Sequence, residues 1–574
     1  MPVVNADIAS QLDKVADLLD IEGANPFRVR AYRRAARTIG ELPRNVSDML
    51  AQGESLDDLP GIGEDLAGKI ALIARGEHLP MLDELEHQVP AGITALLALP
   101  GLGPKRVHLL HEKLGIETVE QLAAAAKAGR LHAVRGFGPG IEARVLRAIA
   151  DGAGQAARTK LATAEQIVTP LLAHLRQAKG VTQLEVAGSY RRRRETVGDL
   201  DIVVAAHSSG PVMQRFISYE DVVEVVEQGP TRATVRLRNG LQVDLRVVAP
   251  ESYGAALCYF TGSKAHNIAL RQIAVDAGLK LNEYGLFRGD RRQSGGSEEA
   301  LYKRLGLDWI PPELREDQGE LAAARAHALP RLLTVAELRG DLHVHTDATD
   351  GRASLPDMVA AAQTKGYGYI AITDHSRRIT MAHGLDPKRL AQQIEAIDRL
   401  NETLPGFVVL KSIEVDILED GSLDLPDSIL RRLDLVVGAV HAFFDMPQQK
   451  QTERVLRAMD NRYFSILAHP TGRLINQRAG YAIDMERVLR GAVERGCCVE
   501  VNAQPDRLDL TDAQCRLAKQ LGVTLVVSTD AHSPVELDFM RFGVDQARRG
   551  WLEARDVLNT HGVDAVRSAL QRRR

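Results

Sequence analysis

The chain lacks any run of about 18 consecutive apolar residues, the length that crosses a bilayer, so no segment is expected to span a membrane. Cysteine is scarce: Cys258, Cys497, Cys498 and Cys515 are the four present, none in a C-x-x-C spacing and two of them adjacent. That spacing argues against a disulfide framework and a thiolate zinc site, and predicts reduced, mostly buried thiols. A charge excess of either sign is also missing. The formal net charge is −4, which by itself predicts no polyanion partner. The first 20 residues hold four Asp in an amphipathic pattern rather than a basic start followed by an apolar core, so no secretion signal is expected and a cytoplasmic location follows.

What is present is the composition of folded protein: 45% apolar and 26% charged residues over 574 positions. At roughly 150 residues per domain, about three to five compact units are expected.

A pattern recurs in the first 150 residues: Leu59-Pro-Gly61-Ile-Gly63, Leu99-Pro-Gly101-Leu-Gly103 and Val134-Arg-Gly136-Phe-Gly138. Each precedes a helical-looking segment. Glycines flanking one apolar residue permit a tight turn whose backbone N–H groups point outward at a helix start, a geometry that holds a phosphate oxygen. Such a grip on a nucleic-acid backbone needs no base reading and no basic composition. Upstream, Asn25-Pro26 reads as an N-cap with proline at the first helical position, and Arg30, Arg33, Arg34 and Arg37 fall on one face of the helix that follows. A second basic run, Arg191 to Arg194, taken alone is an ordinary solvated face.

From about Leu161 strands and helices mix. Residues 231–248 predict a hairpin with a tight type I′ turn at Asn239-Gly240. Asp199 and Asp201, two apart on a strand, project to one side, where like charges repel unless cations lie between them. With Asp244 from the hairpin they form a trio able to hold two Mg²⁺ and drive an in-line phosphoryl displacement. The Gly188-Ser189 turn, with Arg192, could hold a triphosphate beside them. A polar segment over about residues 316–337 reads as a linker.

After Gly340, strand-like runs near Asp341, Tyr369, Phe407, Asp434, Phe464, Cys497 and Val523 alternate with helix-like ones, implying a parallel barrel with its site at the strand C-termini. Near those ends lie His343, His345, Asp350, His375, Glu414, His441, His469, Asp530 and His532. One histidine on a strand is usually a satisfied core residue; this many together point to a metal cluster of two or three ions. Their chemistry suits Zn²⁺, Mn²⁺ or Fe²⁺ without choosing among them. Arg473, just past His469, is a candidate phosphate contact or a plain surface arginine.

The run GSYRRRRETVGDLD over residues 188–201, then VDLRVV, then Tyr259-Phe-Thr-Gly-Ser263 and LNEYGLF, resembles the family X DNA polymerases over about residues 1–318. The resemblance implies Asp199, Asp201 and Asp244 as the metal triad for Mg²⁺ (or Mn²⁺), with Asp244 closest to the primer 3′-hydroxyl. It implies Gly188, Ser189, Arg192 and Gly198 as the triphosphate pocket, and Tyr259, Phe260 and Gly262 as the sugar pocket that excludes ribonucleotides. Asn267 and Arg271 match residues contacting the nascent pair and the template. Lys264 and Val197 depart from a vertebrate member, and Lys264 could add a contact to the incoming nucleotide. Lys69 matches the family's Schiff-base lysine for removing a 5′-deoxyribose phosphate, although Asp65 and Gly68 beside it depart from the pattern and a surface lysine is the equal alternative. The glycine patterns resemble helix-hairpin-helix motifs, with Gly61, Gly63, Gly101, Gly103, Gly136 and Gly138 against DNA.

Residues 339–574 resemble the PHP (polymerase and histidinol phosphatase) domain, with all nine expected ligand positions filled. Together the resemblances imply a multidomain α+β and α/β fold. Its parts are a helix-hairpin-helix end-binding domain over 1–85, fingers over 86–157, a nucleotidyltransferase palm with a mixed sheet over 158–252, a thumb over 253–317, a linker over 318–338 and a seven-stranded (β/α) PHP barrel over 339–574. The implied function is a bacterial, nucleoid-associated monomer that fills short gaps in DNA repair from dNTPs on gapped or nicked double-stranded DNA, with 3′-5′ exonuclease or other 3′-end processing in the PHP domain. The alternative is a PHP nuclease, phosphatase or abasic-site endonuclease for which the polymerase half positions DNA.

Overall fold

Ile8, Leu12, Val15 and Leu19 recur every three or four residues, and the helix Asn5–Ile21 accordingly buries that face, packing beside the helix Pro26–Gly40. The computed structural model describes residues 1–574 except 1, 2, 4, 23, 41, 43, 44, 60, 89–92, 94, 95, 97–101, 135, 136, 138–157, 380, 381 and 572–574. It divides into two compact units, Met1–Arg158 and Thr159–Arg574.

In the first unit the Phe27 N–H donates to Asn25 Oδ1 at 2.9 Å, capping the arginine-bearing helix. Gly61 has φ +74°, and a Cβ there would lie 2.3 Å from Arg34 Cδ, so this turn admits only glycine. Gly63 and Gly103 are the N-caps of the helices Glu64–Ala74 and Pro104–Leu114, each with extended backbone and no side-chain cap. The first-turn N–H groups there carry no capping side chain. Gly101, Gly136 and Gly138 lie outside the described residues.

The second unit begins with a mixed five-stranded sheet. Its order is Val181–Val186, Asp199–Ala206, Gln242–Val248, Arg232–Leu237, Val222–Gln228. The second and third strands run parallel with Asp201 opposite Asp244, and the other neighbours are antiparallel. The hairpin at Asn239-Gly240 corrects the type I′ expectation. Only Gly240 takes positive φ (+84°), Gly240 N–H donates to Leu237 O at 2.8 Å, and Leu237 N–H to Leu241 O at 3.0 Å. This is a three-residue loop, a type I turn closed by a left-handed glycine, in which Arg238 is accommodated and Asn239 needs no left-handed backbone. Helices Tyr253–Thr261 and Lys264–Asp276 and a small antiparallel sheet, Lys280–Asn282, Gly285–Arg288 and Arg291–Ser294, follow.

The segment 318–338 is not a free linker. It forms the helix Glu320–Arg325, buries Glu320 against His266 at 2.6 Å, and seats Leu333 in the core beyond it through a Leu333 N–H to Leu552 O bond of 3.0 Å. Its Ala/Glu/Arg composition suggested solvation, but Leu332, Leu333 and Ala324 are buried anchors that composition averages away.

Eight short parallel strands complete the unit, joined as Gly340–Val344, Tyr369–Ile372, Val408–Lys411 and as Glu414–Asp416, Val437–Ala439, Ile466–Leu467, Cys498–Asn502, Leu525–Ser528. Val408–Lys411 and Glu414–Asp416 lie on one run broken only at Ser412-Ile413, which reconciles eight short strands with seven repeats. A parallel bridge from Val344 to Ala531 joins the first strand to the segment after the last.

This parallel part is packed directly onto the mixed-sheet part. Leu161, Ile475, Leu508, Phe539 and Phe542 form one apolar cluster across the junction. Ion pairs flank it: Arg193 to Asp545 at 2.6 Å, Lys160 to Asp506 at 2.6 Å, Arg473 to Glu195 at 2.7 Å and Arg548 to Glu313 at 2.8 Å. Phe542 is 2% exposed, so Phe542→Ala is expected to cost roughly 3–5 kcal/mol in urea unfolding. A midpoint unchanged from wild type would show that the junction is not what the ring stabilises.

Candidate metal centres

Parallel pairing fixes the first centre. Asp199 and Asp201 lie on one strand, and the register that sets Asp201 opposite Asp244 brings the third carboxylate beside them. Asp244 Oδ1 accepts from the Thr234 hydroxyl and Oδ2 from Gln242 Nε2 at 2.9 Å. Gly188, at φ +61°, lies so close to Asp201 that a Cβ would stand 2.4 Å from its Oδ2. The Gly188–Arg191 turn therefore touches the carboxylates only because it begins with glycine. Burial, then repulsion from Asp199 and Asp244, pushes the Asp201 carboxyl up to about 7. Three converging carboxylates, one of them unwilling to ionise alone, fit hard divalent cations.

Around this centre the arginine run is almost wholly engaged. Arg191 pairs with Glu298 at 2.8 Å, Arg192 with Glu316 at 3.1 Å and with the Thr261 carbonyl, Arg193 with Asp545, and the more exposed Arg194 with Glu316 at 3.6 Å. Gly262, at φ +69°, leaves room for the Arg192 guanidinium, which would be 3.1 Å from a Cβ. Asn267 Nδ2 donates to Tyr259 O at 2.6 Å, Arg271 Nε donates to Asn267 O at 3.2 Å, and the Arg271 guanidinium lies 5.6 Å from the Tyr259 ring centroid. A pocket lined by Cys258, Tyr259, Asn267, Arg271, Leu281 and Asn282 gathers three of the expected residues. Phe260 meets Tyr259 edge-on at 5.2 Å, while Lys264 and Gly198 are exposed and Ser189 is half-buried.

The second centre is built around Glu414, which is 1% exposed. Imidazole nitrogens of His375, His469, His441, His343 and His345 approach its oxygens at 2.8, 2.9, 3.3, 3.6 and 3.7 Å. Asp530 lies 3.1 Å from His345 and 3.5 Å from His343, and Asp350 3.4 Å from His375 and 3.6 Å from His532. All nine expected residues thus meet in one place. Among the described residues eight of them form three donor groups: His345, Asp350, His375 and His532; His343, His345 and Asp530; His375, Glu414 and His441; His469 joins through its contact with Glu414.

Protonation in the metal-free protein follows the same map. Burial disfavours charge on His343, His375 and His441, but Glu500, Glu414 and their carboxylate neighbours outweigh it and raise all three. His532, buried but bonded to Asp350, rises to about 9; His345, buried beside His532 and His375, falls to about 3. Glu414 and Asp530 stay low despite burial, and the more exposed Asp350 with them, because these imidazoles surround them. Yet His343 Nε2, both His345 nitrogens, His375 Nδ1 and Glu414 Oε2 are buried without a hydrogen-bonding partner. Buried donors gathered without hydrogen-bond geometry fit two or three borderline divalent ions.

Sequence reading missed the residues that orient these ligands. Glu500 accepts from His343 Nδ1 at 2.7 Å, Asp416 from His441 Nδ1 at 2.7 Å, and Asp374 from the Thr346 and Thr349 side chains and Gln393. Fixing the far ring nitrogen sets which nitrogen faces the cluster. The signal was available: Glu500 is a lone charge in the apolar run Val499–Val501, and Asp416 repeats the face of Glu414 two residues on. Arg473 is pinned to Glu195 and to Leu508 O across the junction. Lys69 is held by Asp65 at 2.6 Å and lies 5.4 Å from the Tyr32 ring centroid; burial lowers its pKa, but those partners raise it further, so it is a cation rather than a neutral amine.

Comparison with known proteins gives four family matches: "DNA polymerase beta thumb" over residues 256–316, "Helix-hairpin-helix domain" over 3–79, "SAM-like Helix-hairpin-helix tandem" over 93–151 and "PHP domain" over 341–503. The chain is 37% identical over 570 residues to the DNA polymerase/3′-5′ exonuclease PolX of Bacillus subtilis (strain 168), covering 99% of both chains. It is 26% identical over 344 residues to DNA polymerase lambda of Rattus norvegicus, 54% of this chain and 56% of that one. It is 32% identical over 214 residues to a probable phosphatase of Thermoanaerobacter sp. (strain X514), 35% of this chain and 81% of that one. Among the described residues no helix is long and apolar enough to cross a membrane.

In chelator, the Asp201 charge should be a liability. Its carboxyl ionises at 3.8 when unfolded but near 7 when folded, so as pH rises between those values only the unfolded chain loses its proton, and stability falls before levelling off. Asp201→Asn is expected to raise the urea midpoint at pH 8 and leave it unchanged near pH 4. An equal gain at both values would mean that titration is not the cause.

Proposed function

This chain belongs to the family X DNA polymerases that carry a C-terminal PHP domain, and is a DNA polymerase and 3′-5′ exonuclease; from that premise we propose that each activity runs in its own carboxylate centre. The observation that carries the proposal is the presence of two separate donor sets, Asp199, Asp201 and Asp244 in one, and Glu414 with its imidazoles in the other. Acting as a monomer on gapped or nicked double-stranded DNA, the protein fills short gaps from dNTPs and trims 3′ ends.

In the palm, Asp199, Asp201 and Asp244 hold Mg²⁺ (or Mn²⁺). When bound, such ions supply the positive charge that stabilises the attacking and leaving oxygens of an in-line displacement. Asp244, steadied by Thr234 and Gln242, faces the primer 3′-hydroxyl. Gly188, Ser189, Gly198 and Arg192 receive the triphosphate, Arg192 turning from Glu316 and Thr261 O towards it. Tyr259, Phe260 and Gly262 close the space a ribose 2′-hydroxyl would need. Asn267 and Arg271 meet the nascent pair and the template, with Lys264 at the incoming base. The turn at Gly61 and the helix starts at Gly63 and Gly103 hold the DNA backbone through main-chain amides, and the repeated sequence pattern extends that role to Gly101, Gly136 and Gly138. Lys69, held as a cation by Asp65, would have to give up that ion pair before it could act as a nucleophile.

In the PHP domain, His343, His345, Asp350, His375, Glu414, His441, His469, Asp530 and His532 hold two or three Zn²⁺, Mn²⁺ or Fe²⁺ ions. When bound there, such ions would lower the pKa of water and offset charge on the phosphate oxygens. Glu500 and Asp416 keep His343 and His441 turned inward, and the parallel-strand mouth admits a 3′ end.

Asp199→Ala with Asp201→Ala is expected to abolish nucleotide addition on a one-nucleotide gap and leave manganese-dependent 3′ trimming intact. Glu414→Gln should do the reverse. Loss of both activities in either variant would refute two independent centres.

A further inference from the structure

Arg549 lies on the helix Met540–Arg549 of the PHP half, yet its Nη1 bonds cross to Arg192 and Glu316 of the polymerase half. Its side chain is 2% exposed. Nη1 donates to the main-chain oxygen of Arg192 at 2.8 Å and to Glu316 Oε1 at 3.1 Å, and Nη2 donates to Asp512. That same Glu316 oxygen accepts Arg192 Nε at 3.1 Å and stands 3.6 Å from Arg194. One half-buried carboxylate is therefore divided among three guanidinium groups. Arg192 closes the arrangement by donating its Nη1 to Thr261 O, at the end of the helix that precedes Gly262.

A guanidinium that is to grip a triphosphate must exchange its resting partners for phosphate oxygens, and how tightly the resting carboxylate holds it sets the cost of that exchange. Arg549 bears on this cost through the shared carboxylate: it draws Glu316 away from Arg192, and its bond to the Arg192 carbonyl keeps both guanidinium groups at the same oxygen. We propose that Arg549 of the PHP half is a positioning residue for nucleotide binding in the palm, acting through Glu316 on Arg192. The inference rests on the reading of Arg192 as a triphosphate ligand. It makes the PHP half part of the polymerase's substrate affinity, independently of its own nuclease centre.

The test is steady-state filling of a one-nucleotide gap by the full-length chain, varying dNTP, with 3′ trimming measured on the same preparations. Arg549→Met is expected to raise the KM for dNTP about fivefold or more with kcat within about twofold and trimming retained, because Glu316 then closes fully on Arg192. Glu316→Gln should not raise KM, and the double variant should return to within about twofold of Glu316→Gln alone. An unchanged KM in Arg549→Met, or a double variant as impaired as Arg549→Met, overturns the proposal. Should Arg549→Met not fold, Arg549→Lys decides: it keeps the charge, loses the two-pronged reach, and must raise KM about threefold, an unchanged value overturning the link. Arg192→Gln separates the two levels. If it leaves KM unchanged, the reading of Arg192 has failed; if it raises KM while Arg549→Met does not, only the role of Arg549 has.

Discussion

A carboxylate withdrawn from water must be surrounded by positive charge, and much of the PHP half is arranged around that demand at Glu414. Most of the short parallel strands present one or two imidazoles or acids at their ends, and a second layer at Glu500 and Asp416 fixes how those imidazoles turn. The palm meets a smaller form of the same problem. Asp201 is largely withdrawn from water with two acids and a glycine for neighbours, and burial first, then their repulsion, keeps its proton up to neutral pH. In both places the fold gathers donors on or beside strands, where the backbone is already satisfied by pairing.

Much of this was legible before any coordinates. Spacing of two puts Asp199 and Asp201 on one face, and histidines following apolar runs mark strand ends, because both follow from the pleat alone. The family resemblance supplied the rest of the ligand sets. What was not legible depends on tertiary contact. Glu500 and Asp416 stand out as charges on apolar strands, but which imidazole each one holds is set only when the strands come together. The Asn-Gly pair signals a turn but not its type, since one more residue in the loop relieves Asn239 of positive φ. The polar stretch near residue 320 hides Leu332 and Leu333, whose burial only the packed core reveals.

The arginine run shows how a local reading misleads. Four consecutive cations suggest a solvated face or a nucleic-acid patch, whereas here they reach four acids, Glu298, Glu316, Asp545 and Glu165, one of them in the PHP half. Each pair alone would contribute little at the surface. Largely withdrawn from water and tied to the same short segment, they fix the geometry of the turn that begins at Gly188.

The seam between the halves also bears on how the molecule can be dissected. Cutting before the first PHP strand would leave Lys160 and Glu195 without their partners, leave Arg193 with Glu165 but not Asp545, and expose Leu161 to water. An isolated N-terminal fragment is therefore a different physical object from the polymerase inside the intact enzyme, stickier and less rigid beside its own Gly188 turn. Weak activity in such a fragment measures the injury of excision as much as the independence of its chemistry.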